Sequence, residues 1–278
     1  MKAKFSTTIV FISLLFFSCS ANIERAAIIR IKGSDTMLLL TEELAKAYMK
    51  LNPNISIYVE GGGTTSGIRS LINNEIDIAA ASRLLIPSEA QTLAEYYGSL
   101  GMYFLIAKDA LSIYTNPDNQ IKNLSLRQLK DIFTCSIKNW KVLSGEDAEI
   151  LRIIRTPASG TYLYFKQHIL EDQDYCEDVV TASTTNEVIN IIKKNKNAIG
   201  YGGIGYGRNE IHHLDIDGIS PTEENARNDI YPITRYLHLL TTRTPSGHVR
   251  DFIDWVLTPD GQKVIEHAGF ISLWDVTN

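Results

Sequence analysis

Arg155-Thr156-Pro157-Ala158-Ser159-Gly160-Thr161 puts a fixed cation, hydroxyls and a glycine directly ahead of an amphipathic run, Tyr162 to Leu170. The unpaired N–H groups at a helix N-terminus carry partial positive charge, so such a mouth suits a tetrahedral oxyanion. Two upstream turns have the same make-up: Gly33-Ser34-Asp35-Thr36 and Gly61-Gly62-Gly63-Thr64-Thr65-Ser66-Gly67. A single hydroxyl at a helix start is ordinarily an N-cap, and a glycine run is ordinarily a flexible turn. Three turns oversupplied with both, one of them carrying an arginine, read together as a clamp on one anion.

A clamp of this kind requires each turn to leave a strand and open a helix. Ala26 to Lys32 reads as a strand ending at Gly33, and Leu40, Leu44, Ala47, Tyr48 and Leu51 have helical spacing that stops before Pro53. Ile55 to Glu60 alternates as a strand into the triple glycine; Ile68, Leu71 and Ile72 mark a helix, and Ile76 to Ala81 a buried strand. This is the βαβ grammar of a parallel sheet covered by helices. Gly101 to Tyr114 holds two apolar pieces separated by Lys108-Asp109, followed by a helix at Leu126, Leu129, Ile132 and Phe133. Leu151 to Ile154 is the strand that delivers Arg155. Val188, Ile191 and Ile192 mark a helix before Ala198-Ile199-Gly200-Tyr201, and Asn209 to Asp229 reads as loop. A strand-like run spans Tyr231 to Leu240, with helices around Phe252 to Leu257 and Gly261 to His267. In open α/β sheets ligands sit beyond the carboxyl ends of strands, so two such units facing each other would close their turns on one guest.

Other chemistries find little support. Gly200-Tyr201-Gly202-Gly203-Ile204-Gly205 fits the dinucleotide pattern, but Tyr206 to His213 lacks the helical period needed behind it, and Gly61 to Gly67 lacks a P-loop lysine. The histidines are scattered and no close cysteine set suggests zinc, so no metal or other cofactor is expected. No nucleophile–base pair or acid pair at useful spacing stands out, which argues against an enzyme.

The N-terminus reads as a targeting signal. Lys2 and Lys4 precede an apolar run from Ile9 to Phe17 and then Ser18-Cys19-Ser20, too short to span a bilayer but suited to an export signal. Residues 1–19 are read as a signal peptide with Cys19 as the lipidated residue; an ordinary signal cut near Ala21 is the alternative. Removing residues 1–18 takes two lysines and no acids, so the net charge moves from −5 to −7. An acidic chain without a basic run argues against nucleic acid, and local groups must hold any bound anion against the overall field. Cys135 and Cys176 could pair in an oxidising compartment, but at that separation, in a chain this size, they read as unpaired rather than as a scaffold.

Taken in order, Gly33 to Thr36, Gly61 to Gly67, Asp77 to Arg83, Asn116 to Asn119, Asn139-Trp140, Arg155 to Thr161, Ile199 to Tyr201 and Thr258 to Gln262 resemble the periplasmic phosphate-binding proteins of bacterial ABC transporters. The resemblance implies a type II periplasmic-binding-protein clamp: α/β, two domains, each a mainly parallel sheet flanked by helices, joined by two crossovers near Leu105–Ser112 and Ile233–Leu239. Domain 1 would be 26–107 plus 237–278, and domain 2 would be 108–236. It implies inorganic phosphate as ligand, held by Ser34, Thr36, the Met37 N–H, Thr64, Thr65, Ser82, Arg83, Arg155, Ser159, Gly160 and Thr161. It further implies permease subunits as partners, a monomer, and a periplasmic or outer-face location with the membrane reached only through the lipid. Another oxyanion (sulfate, molybdate), phosphate sensing and, further off, a phosphatase are the alternatives. Some relatives carry an acid after the Ser82 position; here Arg83 stands there, leaving Asp35 as the nearest proton acceptor, unless it merely caps its helix. Pro157 replaces an acidic or polar residue common beside the arginine, so the group that orients Arg155 is not visible in sequence. Gly200 to Gly205 becomes packing near the hinge.

Overall fold

A computed structural model describes residues 27–275. The predicted targeting segment and Cys19 therefore lie outside the described residues. Strand β1 (Ala27–Gly33) leads to α1 (Asp35–Leu51), β2 (Ile55–Glu60), α2 (Thr64–Ile72), β3 (Ile78–Ala81) and α3 (Pro87–Tyr97). There follow β4 (Met102–Thr115), β5 (Asn123–Leu124), α4 (Leu126–Phe133), β6 (Leu151–Arg155), α5 (Gly160–His168), β7 (Val180–Ala182) and α6 (Thr185–Lys194). The chain closes with β8 (Ala198–Gly203), β9 (His212–His213), β10 (Asp215–Ile216), α7 (Glu223–Arg227), β11 (Thr234–Thr241), α8 (Gly247–Val256) and α9 (Pro259–His267).

One sheet runs in the order β2-β1-β3-β11-β4-β8-β6-β7. Its flanks are parallel, β2-β1-β3 on one side and β8-β6-β7 on the other, as the βαβ pattern requires. The centre departs from that expectation, because β11 pairs antiparallel with β3 and β4, and β4 antiparallel with β8.

The two apolar pieces expected within Gly101 to Tyr114 are one strand of 14 residues, which pairs with β11 through Met102–Ala110 and with β8 through Leu111–Thr115. Lys108 and Asp109 do not interrupt it, because each charge is paired: buried Lys108 with Asp229, and fully buried Asp109 with Arg235. A partner distant in sequence makes a mid-strand charge tolerable. The span Asn209 to Asp229 also holds more than loop: β9 adds to β4, β10 pairs with β5, and Thr222 caps α7.

The cysteines correct the sequence reading. Cys135 and Cys176 form a disulfide with Cα atoms 5.7 Å apart, because the chain leaves α4 through a left-handed residue at Cys135 (φ 62°) while the Cys176 N–H donates to Phe133 O. The link spans a sequence separation of 41, which in a chain-entropy account stabilises by about 4 kcal/mol. Cys135→Ser/Cys176→Ser should therefore lower the unfolding free energy by roughly 2–4 kcal/mol in urea, as should reduction of the parent protein.

His213 makes a pH-dependent contribution. Its Nδ1 lies 2.8 Å from Ser112 Oγ and its ring packs edge-on against Tyr114. Burial, the largest cause, pushes its pKa down to about 4, and the His212 and Arg208 charges act in the same direction. The unfolded chain then binds a proton that the folded chain refuses, so stability falls as pH drops from about 6.5 to about 4. His213→Gln should lose less stability over that interval than the parent, measured by urea unfolding at several pH values.

Candidate functional site

Three helix N-termini converge. Ser34 stands at the N-cap position of α1, yet its hydroxyl makes no capping bond and donates to Ser82 Oγ at 2.9 Å. Thr64 opens α2, 3.3 Å from the same Ser82 hydroxyl and accepting from the Ser82 N–H. Ser159 caps α5 by accepting from the Thr161 N–H at 3.2 Å, and Thr161 Oγ1 lies 2.8 Å from Thr36 Oγ1 across 125 residues of sequence. Ser34, Thr36, Thr64, Ser82, Ser159 and Thr161 are all buried. Buried hydroxyls gathered from separate elements, bonded largely to one another, form a donor-rich cluster out of bulk water.

The turns touch through backbone too. Thr65 N–H donates to Ala158 O at 3.2 Å, and a Cβ on Gly63 (φ +90°) would meet that carbonyl at 2.6 Å. A Cβ on Gly160 would lie 2.4 Å from Thr64 Oγ1 and 2.6 Å from Ser82 Oγ. These glycines are therefore close-approach positions, where the α5 turn presses on the α2 turn.

Arg155 is almost fully buried at the end of β6 and has spent its guanidinium widely: Nη2 donates to Asp35 Oδ2 (2.8 Å) and Ser183 O (2.8 Å), Nη1 to Thr185 Oγ1 (3.0 Å) and Nε to Ala182 O (3.3 Å). Asp35 is thus the group that orients Arg155, and its other oxygen accepts from the Gly62 N–H at 3.0 Å. Neither a simple cap nor an uncommitted acceptor, Asp35 ties the first, second and third turns together.

Three other predicted residues sit differently. The Met37 side chain lies in the core and its N–H donates to Ser34 O at 3.0 Å. Arg83 is buried with its fork on Glu89 (2.7 and 2.8 Å) and on Thr65 Oγ1 (2.9 Å). Thr65 therefore meets Arg83 rather than the hydroxyl cluster through its side chain.

Sequence reasoning missed a second guanidinium at the cluster. Arg235 on β11 donates through Nη1 to Thr161 Oγ1 at 3.0 Å, and through Nε and Nη2 to Asp109 Oδ2 at 3.0 and 2.8 Å. Burial raises the Asp109 pKa, opposed by the Arg235 charge, the Arg235 bonds and the Ile204 N–H. The available signal was the Lys108-Asp109 pair inside an apolar run, a charge in need of a partner. Among the described residues no group of His, Cys, Asp or Glu could hold a metal ion, and no helix is long and apolar enough to cross a membrane.

The chain matches the family model of the PBP superfamily domain over residues 20–260. It is 30% identical over 271 residues to a phosphate-binding protein, PstS, of Borreliella burgdorferi, covering 93% of this chain and 94% of the relative. A PstS of Bacillus subtilis is 30% identical over 88% of this chain and 81% of its own. Among solved structures, a putative phosphate ABC transporter substrate-binding protein from Clostridium perfringens, with bound phosphate, superposes with TM-score 0.81 at 29% identity, over 89% of this chain and 100% of that one.

Gly160→Ala tests the close approach of the turns. The added methyl must displace two buried hydroxyls, so unfolding free energy in denaturant should fall by about 1–3 kcal/mol.

Proposed function

Because the chain belongs to the PstS family of phosphate-binding proteins within the PBP superfamily, we propose that it captures inorganic phosphate outside the cytoplasm and delivers it to the permease subunits of an ABC importer. The observation that carries this reading is the meeting of buried hydroxyls from three helix mouths, with a guanidinium fixed beside them. Phosphate would break the bonds the hydroxyls make to one another and take them as its own donors, with Ser34, Thr36, Thr64, Ser82, Ser159, Gly160 N–H and Thr161 supplying contacts and Arg155 the charge. Thr65, Arg83 and Met37 would support the turns from outside rather than touch the ion, since the Thr65 hydroxyl, both Arg83 Nη groups and the Met37 N–H are engaged elsewhere.

In this reading 26–107 plus 237–278 form one domain and 108–236 the other, hinged at β4 and β11, and closure expels water from the seat. Cleavage before Cys19 and its lipidation would hold a monomer at the membrane surface, facing its permease. The relatives carry the names of binding proteins, and capture without reaction fits the residues present. The described Ser112–His213 contact does not amount to a hydrolase dyad: Ser112 is fully buried and His213 has no carboxylate beside it to orient the ring.

Calorimetric titration with phosphate, sulfate and molybdate tests the reading: phosphate should bind below about 10 µM and well ahead of the others. Arg155→Ala should weaken phosphate by about 2–5 kcal/mol. That change also orphans the buried Asp35 carboxylate, so Asp35→Asn/Arg155→Ala is the comparison that keeps folding and binding apart.

A further inference from the structure

Arg235 is 4% exposed, lies on β11 and reaches two different places at once. One edge of its fork grips Asp109 of β4, the neighbouring central strand, and the remaining nitrogen holds the Thr161 hydroxyl. It also lines a cavity of about 470 Å³ that reaches Ser82 and is walled by Arg83, Tyr164, His168, Tyr236 and His238. The Tyr164 ring packs 5.6 Å from its central carbon. An arginine needed only to neutralise Asp109 would not have to aim its third nitrogen at an anion-seat hydroxyl.

We propose that Arg235 is a second anion-contacting guanidinium of the seat, positioned by Asp109, and that it makes the protein select the doubly charged form of its oxyanion. This rests on the phosphate reading above. Phosphate takes its second charge near neutral pH, and an added cation at the seat favours the dianion over the monoanion by coulombic attraction. The charged groups facing Arg235 are Asp109 from β4 and, across the hydroxyl cluster, the Arg155–Asp35 pair; Arg83 on the cavity wall is paired with Glu89. Burial lowers the His168 and His238 pKa values below the ordinary histidine value, so neither ring supplies a competing charge change above neutrality.

Titration calorimetry with inorganic phosphate at about pH 6 and pH 8 decides the matter, using the full mature chain. Asp109→Asn/Arg235→Gln removes the pair without orphaning a charge; it should weaken binding about 30-fold at pH 8 but less than about fivefold at pH 6. Arg235→Lys keeps the charge and loses the fork, so it should cost about five- to tenfold at both pH values and retain the parent's pH slope. An equal loss at both pH values in the double variant, the signature of a purely structural role, would overturn the proposal. So would binding within about twofold of the parent. Should the double variant show no cooperative melt, the lysine variant decides alone: parent-like affinity or a lost slope counts against Arg235. A parent protein that fails to bind phosphate at either pH sinks the function itself, whereas a parent that binds with no dependence on Arg235 sinks only this inference.

Discussion

A carboxylate at the mouth of α1 grips a guanidinium 120 residues further along the chain, and both are almost wholly removed from water. Burying two ions is costly unless geometry and further bonds compensate, and here they do: Asp35 also takes the Gly62 N–H, while Arg155 satisfies two carbonyls and a hydroxyl. This pair holds the first, second and third turns in register together with the Thr65 N–H to Ala158 O bond and the Thr36–Thr161 hydroxyl contact. A chain of net charge −5 needs such an arrangement to accept an anion, because attraction must come from a few fixed groups and not from the overall field.

The arginines and carboxylates nearest the seat come in pairs: Arg155 with Asp35, Arg235 with Asp109, Arg83 with Glu89. Pairing fixes each guanidinium in direction while cancelling much of its long-range field. In the proposed reading, what would favour a tetrahedral oxyanion is short-range: hydroxyls, helix-end N–H groups and the guanidinium edges that the carboxylates leave uncovered. Such a seat would be specific in shape, because each donor is aimed before a ligand arrives.

The strand–turn–helix units were legible because local signals agreed with one another. Gly33-Ser34-Asp35-Thr36 ends a strand and opens α1, Ile55–Glu60 runs into Gly61 to Gly63, and Arg155 to Thr161 joins β6 to α5. Each needs only the periodicity on either side and the turn chemistry between. The missed features are those settled by distant partners. Lys108-Asp109 looks like a break until Asp229 and Arg235 are brought alongside, and the Cys135–Cys176 link depends on where the 171–179 segment returns to α4. Asp35 as the partner of Arg155 was hidden for the same reason: a capping acid and a salt-bridged acid look alike in sequence. The antiparallel centre of the sheet was equally out of reach, since β11 enters from the far end of the chain.

The continuity of β4 has a mechanical consequence. A single strand of 14 residues serves both flanks of the sheet, with β11 hydrogen-bonded alongside it and a register shift in that ladder between Leu237 and His238. Two hydrogen-bonded ribbons cannot slide past each other without breaking their ladder, but they can bend and twist like a leaf spring, most readily at the irregularity. Under the proposed two-domain closure, opening and shutting would therefore be an elastic deformation rather than a swap between two packings, with the restoring force in the backbone of these two strands.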